Sequence, residues 1–553
     1  MSLAVRRTIK EIPMFRLLAL CACATLLAAQ APQSVIEAMK KEATEQESEV
    51  QATLKELVDG IGPRLTSSTN LTRACEWARD KFKGFGIANA RLEQWGEWPV
   101  GFDRGQMRGK VVVPEELVLE FSTAAWTAGT DGPKRGRVVA APANAEDLAR
   151  AGDTLRGAWM LGDVKDLNRE ERADALARAG ILGTLSGGRG DLVLTGGNQN
   201  VSWEKLPKEV RININGTQFK KLKDWVSAGT KVEVEFDLPQ KFVKGPIALY
   251  NVLAEIPGTE KPDEIVIVGG HIDSWDGARG TTDNGTGTAT TIEAARLLMQ
   301  AGAKPRRTIR FMLWSGEEQG LLGSRAYMEK HPEENDRISA VLVHDGGTNY
   351  VSGISATAAM MPTFTEVLAP LTQLSDEFKF TIREVKSLPM GIGSDHDSYV
   401  RKGVPGFFWS QAGRANYTHT HHTQYDTFDA AIPEYQRHTS LVVAIGALAI
   451  ANLKDMLPRE GLRSPTEVVR GPRRTIGVQF EGEGGLQVTS VEDGSPAAKA
   501  GVKTGDTLTA VNGAAVKDRF DLRSAILEAK GKAKLTVLRQ GKPVELEITL
   551  SQQ

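Results

Sequence analysis

Apolar residues along this chain change their spacing from block to block, and the changes divide it into regions of different texture. From Val35 to Val58 they recur at helical intervals among charges, predicting one long amphipathic helix that Asp59-Gly60-Ile61-Gly62-Pro63 stops. A second helix is predicted from Leu71 to Phe85. Residues 106–240 read as short strands and helices rich in glycine. Between Tyr250 and Leu453, strand-like apolar runs alternate with helical patterns: Glu264–Gly270, Thr308–Trp314, Ile338–His344 and Val404–Trp409. That alternation predicts an α/β protein whose mixed, mostly parallel sheet is flanked by helices. A Pro/Gly/Arg-rich stretch, Leu457 to Arg474, then leads into a β-rich tail.

The amino terminus reads differently. Leu17 to Ala29 is an apolar run behind Arg16, closed by the small-x-small pattern Ala29-Gln30-Ala31. This predicts a signal peptide at 1–31, too short to span a membrane, and export to the periplasm or the extracellular space. A second reading attaches lipid at Cys23, after Leu20-Cys21-Ala22. Of 3 cysteines, cleavage would leave Cys75 alone, so no disulfide framework holds the mature chain. The 68 basic and 69 acidic residues nearly cancel, and no basic footprint points to nucleic acid. Once the signal is removed, no transmembrane segment is expected.

The chemistry gathers where the predicted strands end. One runs into Gly270-His271-Ile272-Asp273, the next into Ser315-Gly316-Glu317-Glu318, the third into His344-Asp345-Gly346. Between the first two lies the tight loop Gly280-Thr281-Thr282-Asp283-Asn284-Gly285, and later come His419, His421, His422 and Asp426. In open α/β sheets the functional crevice lies outside the carboxyl ends of the strands. Imidazole and carboxylate without thiolate suit zinc or a similar divalent ion in a catalytic site. The negative charges of Asp283, Glu318 and Asp345, with one more from a hydroxide, balance two such ions. Glu317 is then free to move a proton.

These motifs resemble the co-catalytic zinc exopeptidases, the family of carboxypeptidase Q, glutamate carboxypeptidase and bacterial leucyl aminopeptidases. The resemblance rests on Gly-His-Ile-Asp-Ser-Trp-Asp at 270–276, Asp-Asn-Gly-Thr-Gly at 283–287 and Trp-Ser-Gly-Glu-Glu-Gln-Gly at 314–320. His-Asp-Gly-Gly-Thr at 344–348, Gly-Val-Pro-Gly at 403–406 and His-His-Thr-Gln-Tyr-Asp-Thr at 421–427 follow in the family's order. It implies the zinc exopeptidase fold and two zinc ions: one on His271, Asp283 and Asp345, the other on Asp283, Glu318 and His422, with Asp283 bridging. His421 and His419 become loop neighbours. Glu317 is implied as general base, taking a proton from water activated at the metals, and Asp273 as acceptor from a ligand imidazole. A cis peptide between Asp283 and Asn284 is also implied. Where some members carry a tyrosine before Ser-Asp-His, this chain has Met390-Gly391-Ile392-Gly393, so the oxyanion donor is either His396 or a backbone N–H of that loop. Ser394 lacks the second glycine of a serine-nucleophile elbow.

Two accessory blocks have resemblances of their own. Arg156 to Asp163, Ala173 to Gly180 and Ile181 to Leu185 resemble the protease-associated domain. Ile476-Gly477-Val478, Ser495 to Val502 and Gly505 to Gly513 resemble a PDZ domain, whose helix near Leu522–Ala529 would wall a groove for a peptide or protein carboxyl terminus. The expected plan is signal peptide 1–31, peptidase segments 32–105 and 241–456 interrupted by a protease-associated domain at 106–240, linker 457–472 and PDZ domain 473–553. The implied function is exopeptidase action on peptides or dipeptides at either end. A single-zinc glutaminyl cyclase-like enzyme and a non-catalytic peptide-binding protein are the alternatives.

Overall fold

The computed structural model describes residues 31–188, 190–462, 476–480, 486–492, 494–516, 522, 525–526, 529 and 531–550. The signal and lipid-attachment readings, Ala31 apart, fall outside these residues, as do 463–472 of the linker and most of the PDZ helix.

Six strands form the central sheet: β1 (Arg91–Arg104), β2 (Gln240–Ile256), β3 (Lys261–His271), β4 (Arg307–Trp314), β5 (Ile338–Val343) and β6 (Gly406–Phe408), in the order β1-β2-β4-β3-β5-β6. β3, β4, β5 and β6 run parallel, while β2 is antiparallel to both β4 and β1. Every residue of β4 and β5 is buried, as expected of strands covered on both faces. Successive side chains alternate between the two covers. Val266 and Val268 of β3 join the core under the helices Thr286–Gln300 and Pro433–Ala451; Ile265 and Ile267 face a smaller core with Trp314, Tyr327 and Tyr399.

The single helix expected from Val35 to Val58 is broken. The chain forms Gln33–Glu42, turns, and resumes as Val50–Lys55 followed by a wider turn, Glu56–Ile61. The cause is a buried charge. Glu293 accepts from the Ser48 hydroxyl (2.8 Å) and the Glu49 N–H (3.2 Å), and Arg296 reaches Glu42, so the chain bends around that pair. Composition alone marks Leu457 onward as linker, and this also needs correction. Leu457 is buried in the main core, and the Arg459 guanidinium donates to the carbonyls of Gly403, Asn335 and Ile338, so 457–462 is docked.

Between β1 and β2 the chain builds a second sheet of eight strands with its own core around Val111, Trp159, Leu185, Ile212 and Phe236. The tail has a four-stranded and a two-stranded sheet over a separate core. Among the described residues no helix is long and apolar enough to cross a membrane.

Candidate active site

Parallel pairing brings the ends of β3, β4 and β5 to one edge, which sets His271, Glu317, Glu318 and Asp345 side by side. Asp283 arrives on the buried loop Thr281–Gly285 that precedes the helix Thr286–Gln300. Its position is held from several directions. Asp426 accepts the N–H of Thr282 and of Asp283, the latter at 3.2 Å. The Asn284 amide donates to His344 O (2.9 Å) and accepts from Gly287 N–H (2.9 Å). A Cβ at Gly287 would lie 2.2 Å from His344 O, so only glycine lets the helix start so near β5. The Asp283–Asn284 peptide is cis.

The first donor group is His271, Asp283 and Asp345. His271 Nδ1 lies 3.1 Å from the carbonyl oxygen of Asp273, an acceptor, so that nitrogen carries the hydrogen. In the neutral ring Nε2 is then a bare lone pair. It faces Asp283 Oδ1 and Asp345 Oδ1, each at 3.0 Å. Burial opposes a charged ring, but Asp345 and Glu317, with Asp273 and Asp283, hold the His271 pKa well above its ordinary value, so a proton sits where a zinc ion on this donor set would replace it.

The other carboxylate oxygen of Asp283 serves a second group. His422 Nε2 lies 2.8 Å from Asp283 Oδ2 and 3.0 Å from Glu318 Oε2. Burial of the ring disfavours its charged form, but Glu318 and Asp283 overcome this and push its pKa up to about 11. A cation held there would take the place of that proton. His421, expected as a neighbour only, stacks on His422 with ring centres 3.9 Å apart and comes within 3.3 Å of the same Asp283 oxygen. It therefore competes for the second position with Glu318, whose other oxygen accepts the Trp275 N–H at 3.3 Å.

Glu317 is held well above the usual carboxylate range, first by burial; the charges of Asp345, Asp395 and Glu318 add to this and His271 opposes it. A carboxyl of that kind is fitted to take up a proton. Asp273 does less for the imidazole than expected. Its carboxylate is 3.5 Å from His271 Nδ1 and chiefly accepts from the Thr66 hydroxyl and the N–H groups of Glu317 and Glu318. It thus fixes the turn that aims both glutamates. His396 is fully buried beside Phe408, with Nε2 3.4 Å from Asp397 Oδ1, and burial keeps its ring neutral. Asp397 in turn accepts the N–H groups of Gly391 and Gly393 and folds the glycine loop.

Known proteins resemble this chain. The model of peptidase family M28 matches residues 251–445, and a PDZ domain model matches 475–550. Residues 251–445 thus carry an M28 peptidase segment. Carboxypeptidase Q of Bos taurus is 28% identical over 420 residues, covering 73% of this chain and 85% of that one. A probable aminopeptidase of Saccharomyces cerevisiae is 29% identical over 246 residues, 40% of this chain and 64% of that protein. Among solved structures, the M28 peptidase precursor of Shewanella amazonensis is 25% identical with a TM-score of 0.56, covering 77% of this chain and 98% of that one. This M28 peptidase is a zinc-dependent exopeptidase with a carboxyl-terminal PDZ domain.

Several residues of the M28 site escape sequence reasoning. Arg64 is wholly buried, its guanidinium donating to the carbonyls of Ile272, Gly62, Arg279 and Gly280, and so it ties the loops of His271 and Asp283 together. Trp275 packs edge-on to His422 and on its far side to Trp126. Trp275 lies inside a quoted motif and Arg64 directly follows the helix stop at 59–63, and in both places only ligand-type side chains carry a signal.

Proposed function

We propose that this M28 peptidase hydrolyses terminal peptide bonds with one zinc on His271, Asp283 and Asp345, a second on Asp283, Glu318 and His422, and Glu317 as the proton carrier. The observation that carries the reading is the convergence of His271 Nε2 with Asp283 Oδ1 and Asp345 Oδ1, each at 3.0 Å, while Nδ1 is turned to the Asp273 carbonyl. Bound zinc supplies a Lewis acid for the scissile carbonyl and makes water more acidic. Glu317 then accepts the proton of the attacking water and returns it to the leaving amine, so no acyl-enzyme forms. Its N–H, fixed on Asp273 at 3.3 Å, keeps the carboxyl at the strand end while that proton moves. His396, neutral and buried, is the donor proposed for the developing oxyanion, since the Gly391 and Gly393 N–H groups are taken by Asp397.

Paired amide variants test the division of labour. Glu317→Gln keeps size and ligand set, so it is expected to retain two zincs while kcat falls by roughly 10²–10⁴. Glu318→Gln is expected to lose one zinc in mild chelator. Elemental analysis giving the reverse pattern would exchange the two roles, and full activity in Glu317→Gln would end the mechanism.

A further inference from the structure

The inserted sheet reaches the metal site through a loop. Its loop 191–195 runs antiparallel to 422–424, the segment that carries His422, with Leu194 bridged to Thr423. Thr195 N–H donates to the carbonyl of His422 (2.8 Å), and Gln424 N–H to that of Val193 (3.1 Å). The Gln424 side chain extends this ladder: its oxygen accepts Val193 N–H at 2.8 Å, and its amide donates to Asp191 O at 2.9 Å and to Glu120 at 3.4 Å. The loop is in turn fastened to the inserted sheet. Ser122 donates to Leu194 O (2.9 Å), Ala125 N–H to Gly196 O (2.8 Å), Asn215 to Asp191 O (3.1 Å) and the Thr217 hydroxyl to Asp191 (2.6 Å).

His422 needs such a hold. Its φ of +56° lies in the left-handed region, which non-glycine residues occupy at a cost, and His421 stands beside it with a second imidazole. We infer that the inserted unit is a working part of the metal centre: through Gln424 it clamps the backbone of His422 so that this imidazole, and not that of His421, faces Asp283 and Glu318. Gln424 is a positioning residue, and the inference rests on His422 being a zinc ligand. The clamp bears on the second ion alone, since the His271 group takes no hydrogen bond from the inserted sheet among the described residues.

The test is zinc retention by the full chain against a graded chelator. Gln424→Leu removes both halves of the side-chain ladder and is expected to release one zinc at about 10–100-fold lower chelator, the range for groups that orient metal ligands, while the other zinc keeps its wild-type midpoint. Gln424→Glu retains the acceptor for Val193 but faces Asp191 O with a carboxylate, and should fall between. Hydrogen exchange at Thr195 and Gln424 N–H should quicken in both variants. Two zincs with unchanged midpoints in Gln424→Leu would overturn the clamp, as would loss of both zincs together, which marks a merely structural role. Fewer than two zincs in the wild type would overturn the ligand reading and the clamp with it.

Discussion

At the scale of single residues, chemistry is legible wherever a side chain must itself donate or carry charge. His271, Glu318 and Asp345 at strand ends, and Asp283 and His422 on loops, stand out by type and position, and the structure brings them within bonding distance of one another. Less legible is the work done by backbone atoms. The acceptor nearest His271 Nδ1 is the carbonyl of Asp273, which every residue possesses, so no residue type announces it. The approach of His421 depends on ring stacking against Tyr417 and His422, a packing outcome that motif spacing does not encode. One buried histidine away from the site gives a pH prediction. His438 sits among Tyr350, Phe378 and Tyr435 with Nε2 unpartnered, and burial lowers its pKa to about 4. Above about pH 6.5 both the folded and unfolded forms are neutral there, and the residue contributes no pH dependence. Between 6.5 and 4 the unfolded chain binds a proton that the folded chain refuses, so stability falls as pH falls. Urea unfolding at pH 7.5 and pH 5 should show His438→Leu losing on the order of 2 kcal/mol less than the wild type. Equal losses would contradict the assignment.

At the scale of elements, β3 to β6 and the helices between them follow from apolar runs and helical spacing, because both faces of this sheet are covered and the pattern has little freedom. The pattern fails where a buried polar group redirects the chain. The helix expected over 35–58 breaks at 43–49 because Glu293 and Arg296, 1% and 4% exposed, draw Ser48, Glu49 and Glu42 to themselves. Arg296 meets both oxygens of Glu293 at 2.9 Å. Arg296→Met would leave that carboxylate buried without its counter-charge and should destabilise the protein by about 3–5 kcal/mol in chemical denaturation. Adding Glu293→Leu should recover most of the loss. A double variant no more stable than Arg296→Met would show that the ion pair is not what holds the amino-terminal helix.

At the scale of the whole molecule, the sequence divides into a sheet that bears the ligands, an inserted sheet and a PDZ tail, yet linear order hides their dependence. The contact between Val193 and Gln424 joins positions 231 residues apart, and although Gln424 lies inside the motif at 421–427, Val193 lies in none. Long-range pairings of that kind follow from how the two sheets are placed, which local patterning does not specify. The central claim is that two ions share Asp283. Anomalous X-ray scattering at the zinc edge, from crystals of the full chain grown with zinc, tests it directly. The account predicts two peaks about 3.5–4 Å apart, flanking the Asp283 carboxylate, one against His271 and Asp345 and the other against Glu318 and His422. A single peak, or a second peak bound by His421 with Glu318 turned away, would contradict it.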